Sequence, residues 1–287
     1  MTHRTRRGLC AIVSTLAVLL LVLSVTALGV WVHERAELRR RVVDAIDAAA
    51  PPSVQMRQAL AFLHANVPLE RRDGYFLLPL FRFLKPTALE VLRDGGDCAY
   101  RARALIVILN QYDVRAFKLA LYDETGRSVH AVVQVETERG PYVVDALFDF
   151  VYEANDGRPL PRAALAAPEV VRSAMTRAAA GGNTRALRYP VERYPYTDVR
   201  TVNWTKSATL RAAYRALVAI VGQERANHLP RPYLTEEPGL MVLAASGSGL
   251  VVCVVLLLRL RRAALAAAAG EGPARSGLVR SNGDGAR

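Results

Sequence analysis

The chain has 287 residues, 52% of them hydrophobic and 22% charged, with a mean hydropathy of +0.13, which excludes a disordered or fibrous protein. The net charge of +12 rests on arginine, with only Lys85, Lys118 and Lys206 as lysines; with abundant alanine, this composition resembles coding from a GC-rich genome such as a bacterial one. The basic residues are spread along the chain with no dense run beside an aromatic stacking motif, which argues against a nucleic-acid partner.

Residues 9–32 form an apolar run of 24 residues without a charge. As a helix it reaches about 36 Å, enough to cross a hydrocarbon core of about 30 Å with some tilt. Residues 239–258 form a second such run, closed by Arg259, Arg261 and Arg262. The alternative for the first is a cleaved signal peptide, with Val25-Thr26-Ala27 as a poor cleavage site; its apolar stretch is longer than such segments normally are, which favours an uncleaved anchor. Arg4, Arg6 and Arg7 before the first run and the arginines after the second place both tails in the cytoplasm. The expected organisation is a cytoplasmic tail over 1–8, a span over 9–32, an extracytoplasmic domain over 33–238, a span over 239–258 and a disordered cytoplasmic tail over 259–287. The expected location is the cytoplasmic (inner) membrane, with the bilayer as a partner through both spans. Arg35, Arg39, Arg40 and Arg41, beyond the first span, weigh the other way, but a long loop translocates despite such charges. In the second span Ala245 and Gly249 make a small-xxx-small pair, suited to close helix packing or simply ordinary span composition.

Between the spans, residues 35–50 read as a helix leaving the membrane and ended by Pro51-Pro52, and Ser53 as the cap of a helix through 66. Thr87 and Glu90 make a capping box, and Gly95-Gly96 closes that helix rather than cradling phosphate, since no Lys-Ser/Thr follows. Asp97 caps a helix from Cys98 to about Gln111, with Ala102, Leu105, Ile106 and Leu109 at helical spacing. Strands follow over 114–122, 128–136 and 142–148, joined by tight glycine-containing turns that imply antiparallel neighbours. Residues 163–180 read as a helix stopped by Gly181-Gly182, 188–204 as extended, and 207–225 as an amphipathic helix. The fold class is α+β, helices first and a small antiparallel sheet after them.

Cys10 and Cys253 fall within the spans, leaving Cys98 as the only cysteine of the central domain. It cannot form a disulfide within that domain, so it is a core thiol or a reactive one. A helix N-terminus carries partial positive charge and favours thiolate over thiol. His130, third in its strand, and Asp145, at the end of an apolar run in the next, fall side by side if those strands pair. A histidine beside a thiol takes its proton and a carboxylate orients the imidazole. Asp97 would oppose the thiolate if its charge pointed inward, and Asp149 is the rival carboxylate. His3, His33, His64 and His228 are isolated, so no metal ligation and no cofactor is expected. The tyrosine-rich stretch 188–196 is either scaffold or the wall of a substrate groove.

Gly96-Asp97-Cys98-Ala-Tyr-Arg-Ala-Arg-Ala-Leu, Ser128-Val-His130-Ala-Val-Val and Val143-Val-Asp145 together resemble the core of the transglutaminase-like superfamily of cysteine enzymes, over residues 85–155. The resemblance implies a papain-like helix-on-sheet core with Cys98 as nucleophile, His130 as general base and acid, and Asp145 as orienting carboxylate. Where that family often has a Gly-Ile-Pro-Ala-Arg-like turn, this chain has Gln111-Tyr112-Asp113-Val114-Arg115. The resemblance implies a membrane-anchored thiol acyltransferase, protease or amidase acting on a protein, peptide or cell-wall amide. The alternatives are a non-catalytic envelope assembly or binding module, linked to surface polysaccharide machinery, and a structural subunit of a membrane complex.

Overall fold

No proline precedes Pro51, so nothing breaks the first helix, α1, which runs over His3–Val42. The last, α8, covers Pro238–Gly270. In the computed structural model, which describes residues 3–68, 86–229 and 231–270, both helices are long and apolar enough to cross a membrane, with mean hydropathies of 2.6 and 2.5. Helix α1 ends at Val42 and residues 43–49 are mostly turns, so the exit helix does not reach Pro51. Residues 259–270, expected in a disordered tail, continue α8, an alanine-rich stretch of high helix propensity; the remainder of that tail lies outside the described residues.

The chain divides into two compact units, one of Met1–Leu28 with Val242–Arg287 and one of Gly29–Met241. Within the first, Ser24 Oγ lies 2.8 Å from Ser246 Oγ. A Cβ on Gly249 would meet Leu20 Cδ1 at 3.1 Å, so the small residue is what admits this helix contact.

The second unit is α+β. Helix α2, Pro52–Asn66, starts on a proline at its first position. Proline has no N–H to satisfy there, and Ser53, expected as the cap, is instead buried inside the helix with its N–H and hydroxyl on the Glu138 carboxylate. Helix α3, Ala88–Asp94, carries the Thr87–Glu90 capping box: Thr87 N–H donates to Glu90 Oε2 at 2.9 Å and Glu90 N–H to Thr87 Oγ1 at 3.3 Å. Helix α4, Cys98–Asn110, is buried almost all round and includes two arginines, Arg101 and Arg103. Arg103 Nε (3.5 Å), Lys118 Nζ (3.2 Å) and Arg231 Nε (3.0 Å) converge on Glu236. Burial there pushes the Lys118 ammonium down to about 8 despite that carboxylate.

The sheet is antiparallel, ordered β4-β3-β2-β1-β5, with β1 Ala116–Tyr122, β2 Ser128–Thr137, β3 Gly140–Asp145, β4 Phe150–Tyr152 and β5 Asp198–Arg200. The third strand stops at Asp145, short of the expected 148, because Asp145 Oδ1 accepts the N–H groups of Leu147 (2.9 Å) and Phe148 (3.1 Å) and turns the chain. That turn creates β4, which was not expected. The expected extended stretch 188–204 yields only the three residues of β5. Alternation sorts the strand residues between two cores. Val133, Val135, Tyr142 and Val144 pack with α2, α3 and α4. Val132, Val143, Leu119 and Leu121 pack with α5, Pro168–Ala180, and the 186–196 segment. The expected helix over 207–225 is split at Gly222 (φ 84°) into α6, Ala208–Val221, and α7, Gln223–Asn227.

Candidate active site

The site begins at the α3–α4 junction. Gly95, at φ 80°, closes α3 in a conformation that suits glycine. A Cβ on Gly96 would lie 2.8 Å from Tyr100 Cβ, so only glycine lets the chain turn this tightly into α4. Asp97 caps the helix, its Oδ1 accepting from Tyr100 N–H at 2.9 Å. Its carboxylate is thus held on the helix backbone. Cys98 occupies the first helical position and is half-buried. Arg101, one turn on, reaches back to donate from Nε to Gly96 O at 3.0 Å and from Nη2 to Pro68 O, tying down the junction.

His130 and Asp145 come from adjacent strands. The register pairs Val133 with Val144, which sets Asp145 beside Val132, two residues from His130 on the same face. His130 Nε2 lies 2.6 Å from Asp145 Oδ2, and both side chains are buried. The other carboxylate oxygen is taken by the two backbone N–H groups of the turn, so Asp145 is fixed at both ends. The remaining ring nitrogen, Nδ1, is buried and has no hydrogen-bond partner among the described residues. The Cys98 thiol is close enough to raise the imidazole's proton affinity further. With Nε2 engaged by Asp145, Nδ1 is the nitrogen left for it. Burial depresses the imidazole's proton affinity, but the Asp145 charge and hydrogen bond, then the thiol, outweigh it and push His130 up to about 10.

The rings around His130 come from segments outside the strands that carry it. Tyr194 stacks on the imidazole at 4.2 Å with planes 6° apart, and Phe148 and Tyr189 each lie 5.9 Å away. Burial raises the Tyr194 phenol, Arg193 pulls it down, and the charges of Cys98 and Asp145 add to the rise. Stretch 188–196, left open between scaffold and groove, thus supplies two walls of the histidine's surroundings. Nothing in the sequence assigned a role to Arg101 at the α3–α4 junction or to these tyrosines beside the imidazole; the one available signal was the pair of arginines inside an otherwise apolar helix, which must find partners.

Asp149 goes elsewhere. It sits at φ 55° with its carboxylate 3.7 Å from His64 Nδ1, and Arg185 Nη1 lies 2.6 Å from that same nitrogen. Burial raises its carboxyl against the pull of His64 and Arg185. Among the described residues no group of three His, Cys, Asp or Glu side chains is arranged to hold a metal ion. The structure therefore pairs His130 with Asp145, sets Cys98 at the start of α4 close enough to bear on the imidazole's charge, and leaves Asp149 in a separate pair. No family model matches the chain, and no curated protein or solved structure matches it either.

Proposed function

We propose that this chain is a membrane-anchored, transglutaminase-like cysteine enzyme that acts on amide bonds outside the cytoplasmic membrane. The observation that carries the reading is a buried imidazole paired with a carboxylate at 2.6 Å, with a thiol at a helix start close enough to bear on its charge. Imidazolium beside sulfur favours the thiolate, and Asp145 keeps Nε2 protonated so that Nδ1 exchanges the reactive proton. Cys98 Sγ bonds to the amide carbonyl carbon, and the oxyanion formed draws on the Cys98 N–H, which as the first of the helix has no intrahelical acceptor. His130 gives its proton to the nitrogen, the C–N bond breaks, and the amine leaves a thioester on Cys98. Water or a second amine then attacks the thioester, giving up its proton to His130, and the C–S bond breaks. Hydrolysis and cross-linking differ only in that second nucleophile.

The test is to incubate the full chain, in nanodiscs, with glutamine-containing peptides and bacterial cell-wall fragments, quench in acid, and examine the Cys98 peptide by mass spectrometry. A hydroxylamine-sensitive acyl adduct on Cys98, absent from His130→Ala, is expected. No adduct with any amide, while Cys98 remains open to small electrophiles, would overturn the enzyme reading in favour of a binding module. The exported placement rests on the arginine-rich tails. A reporter fused near residue 150 should signal export, and a cytoplasmic signal would reverse it.

A further inference from the structure

Helix α6 has the wrong surface for a helix facing water. Eleven of the fourteen residues in ATLRAAYRALVAIV are hydrophobic, and not one is buried. At about 100° per residue, Ile220, Ala213, Leu217, Leu210, Val221, Tyr214 and Val218 form one continuous apolar arc of roughly 160°. Tyr214 is satisfied within the fold, stacked on Trp204 at 5.4 Å with its hydroxyl donating to Asn227. The aliphatic residues are not: Leu210, Leu217, Val218 and Val221 are only half-buried and Ile220 is 80% exposed. The helix packs mainly on its own neighbours in sequence, the turn Trp204–Lys206 and α7, rather than on the sheet.

The charge pattern identifies what would cover it. From residue 199 to residue 223 there is no Asp or Glu, while Arg200, Lys206, Arg211 and Arg215 are basic. Arg211 and Arg215 lie one turn apart and border the apolar arc. An acid-free, arginine-flanked apolar helix complements an anionic lipid surface, into which aliphatic side chains sink while guanidinium groups meet phosphates. The chain from α6 leads within sixteen residues to Pro238, where α8 starts, and exposed Leu229 and Leu234 lie along that path. We propose that α6 is an interfacial helix that lies in the headgroup region of an anionic bilayer and fixes how the Gly29–Met241 unit faces the membrane. The proposal rests on α1 and α8 being membrane spans.

The test uses the full chain with Cys10, Cys98 and Cys253 replaced by Ala, reconstituted at one copy per nanodisc of phosphatidylcholine with three-tenths phosphatidylglycerol. An environment-sensitive fluorophore is attached through Ile220→Cys on the apolar arc, Ala212→Cys on the opposite side, or Leu19→Cys within α1. Nitroxides on the lipid chains should quench residues 19 and 220 and blue-shift their emission, with several-fold less quenching at 212. Arg211→Gln with Arg215→Gln should weaken quenching at 220 without altering it at 19. Water-like emission at 220 while 19 is quenched would overturn the interfacial helix and leave the spans standing. An unquenched label at 19 would overturn the spans and this proposal with them. Protection of 220 only in discs holding two copies, without lipid quenching, would make α6 a protein interface and also overturn it.

Discussion

Replacing Asp145 by Asn alters one atom of the carboxylate and should reverse the behaviour of His130. In the native site, Oδ1 accepts two backbone N–H groups and Oδ2 faces Nε2 at 2.6 Å. An asparagine that keeps its oxygen on the backbone turns its NH2 toward Nε2, which must then be a proton acceptor. The imidazole is left neutral with its hydrogen on Nδ1, facing the thiol as donor rather than base. Burial, the largest influence on His130, then acts without the opposing carboxylate, so its titration should fall from about 10 to below the ordinary 6.5. From 6.5 to about 10 corresponds to roughly 5 kcal/mol at about 1.4 kcal/mol per tenfold change in proton affinity. The sign follows from linkage. With its folded value raised, His130 contributes stability that is complete below pH 6.5 and is lost as pH rises through about 10. In Asp145→Asn the folded value is lowered, so this contribution should instead rise with pH through the histidine range. The assay is a titration of the His130 ring Cε1–H resonance in isotopically labelled protein, assigned by comparison with His130→Ala, alongside thermal melts from pH 5.5 to 10. A variant histidine that still titrates near 10, or a native one near 6.5, would refute the reasoning.

Three other substitutions probe the surroundings. Tyr194→Leu removes the ring stacked at 4.2 Å; a cation–π contribution of about 1–2 kcal/mol should vanish and lower the His130 titration by about one pH unit in the same experiment. Gly96→Ala forces a Cβ to within 2.8 Å of Tyr100 and should destabilise the Gly29–Met241 unit by about 1–3 kcal/mol, read by denaturant unfolding. Asp149→Asn breaks the contact with His64 and should leave the His130 titration where it is; a large shift would mean that the two carboxylates are coupled.

What the sequence made legible is what local chemistry writes. The Thr87–Glu90 box, the Asp97 cap and the helix from Cys98 follow from side chains bonding backbone within a few residues. His130 and Asp145 could be paired because a short hairpin leaves two adjacent strands little choice of register. Less legible were features that depend on distant parts of the chain. Asp145 ends an apolar run and reads as a mid-strand residue, yet its second oxygen makes it a turn-former, which both shortens β3 and creates β4. Tyr194 stacks on a ring 64 residues earlier, carried there by a segment with almost no regular structure and hence no periodicity to read. Gly222 lies inside a helical pattern, where a glycine can be tolerated; only its φ of 84° separates α6 from α7.

The central claim is that Cys98 is a nucleophile activated by His130, and the rate of its alkylation tests this most directly. Iodoacetamide at pH 7 is applied to the full chain in nanodiscs, and the Cys98 peptide is quantified against time in the native protein and in His130→Ala. An unassisted thiol is ionised to only a few per cent at that pH, so pairing with imidazolium predicts a native rate roughly ten- to thirtyfold above that of the variant, after allowance for the lower nucleophilicity of a stabilised thiolate. Equal rates in the two proteins would contradict the account, leaving Cys98 an ordinary thiol at the start of a helix.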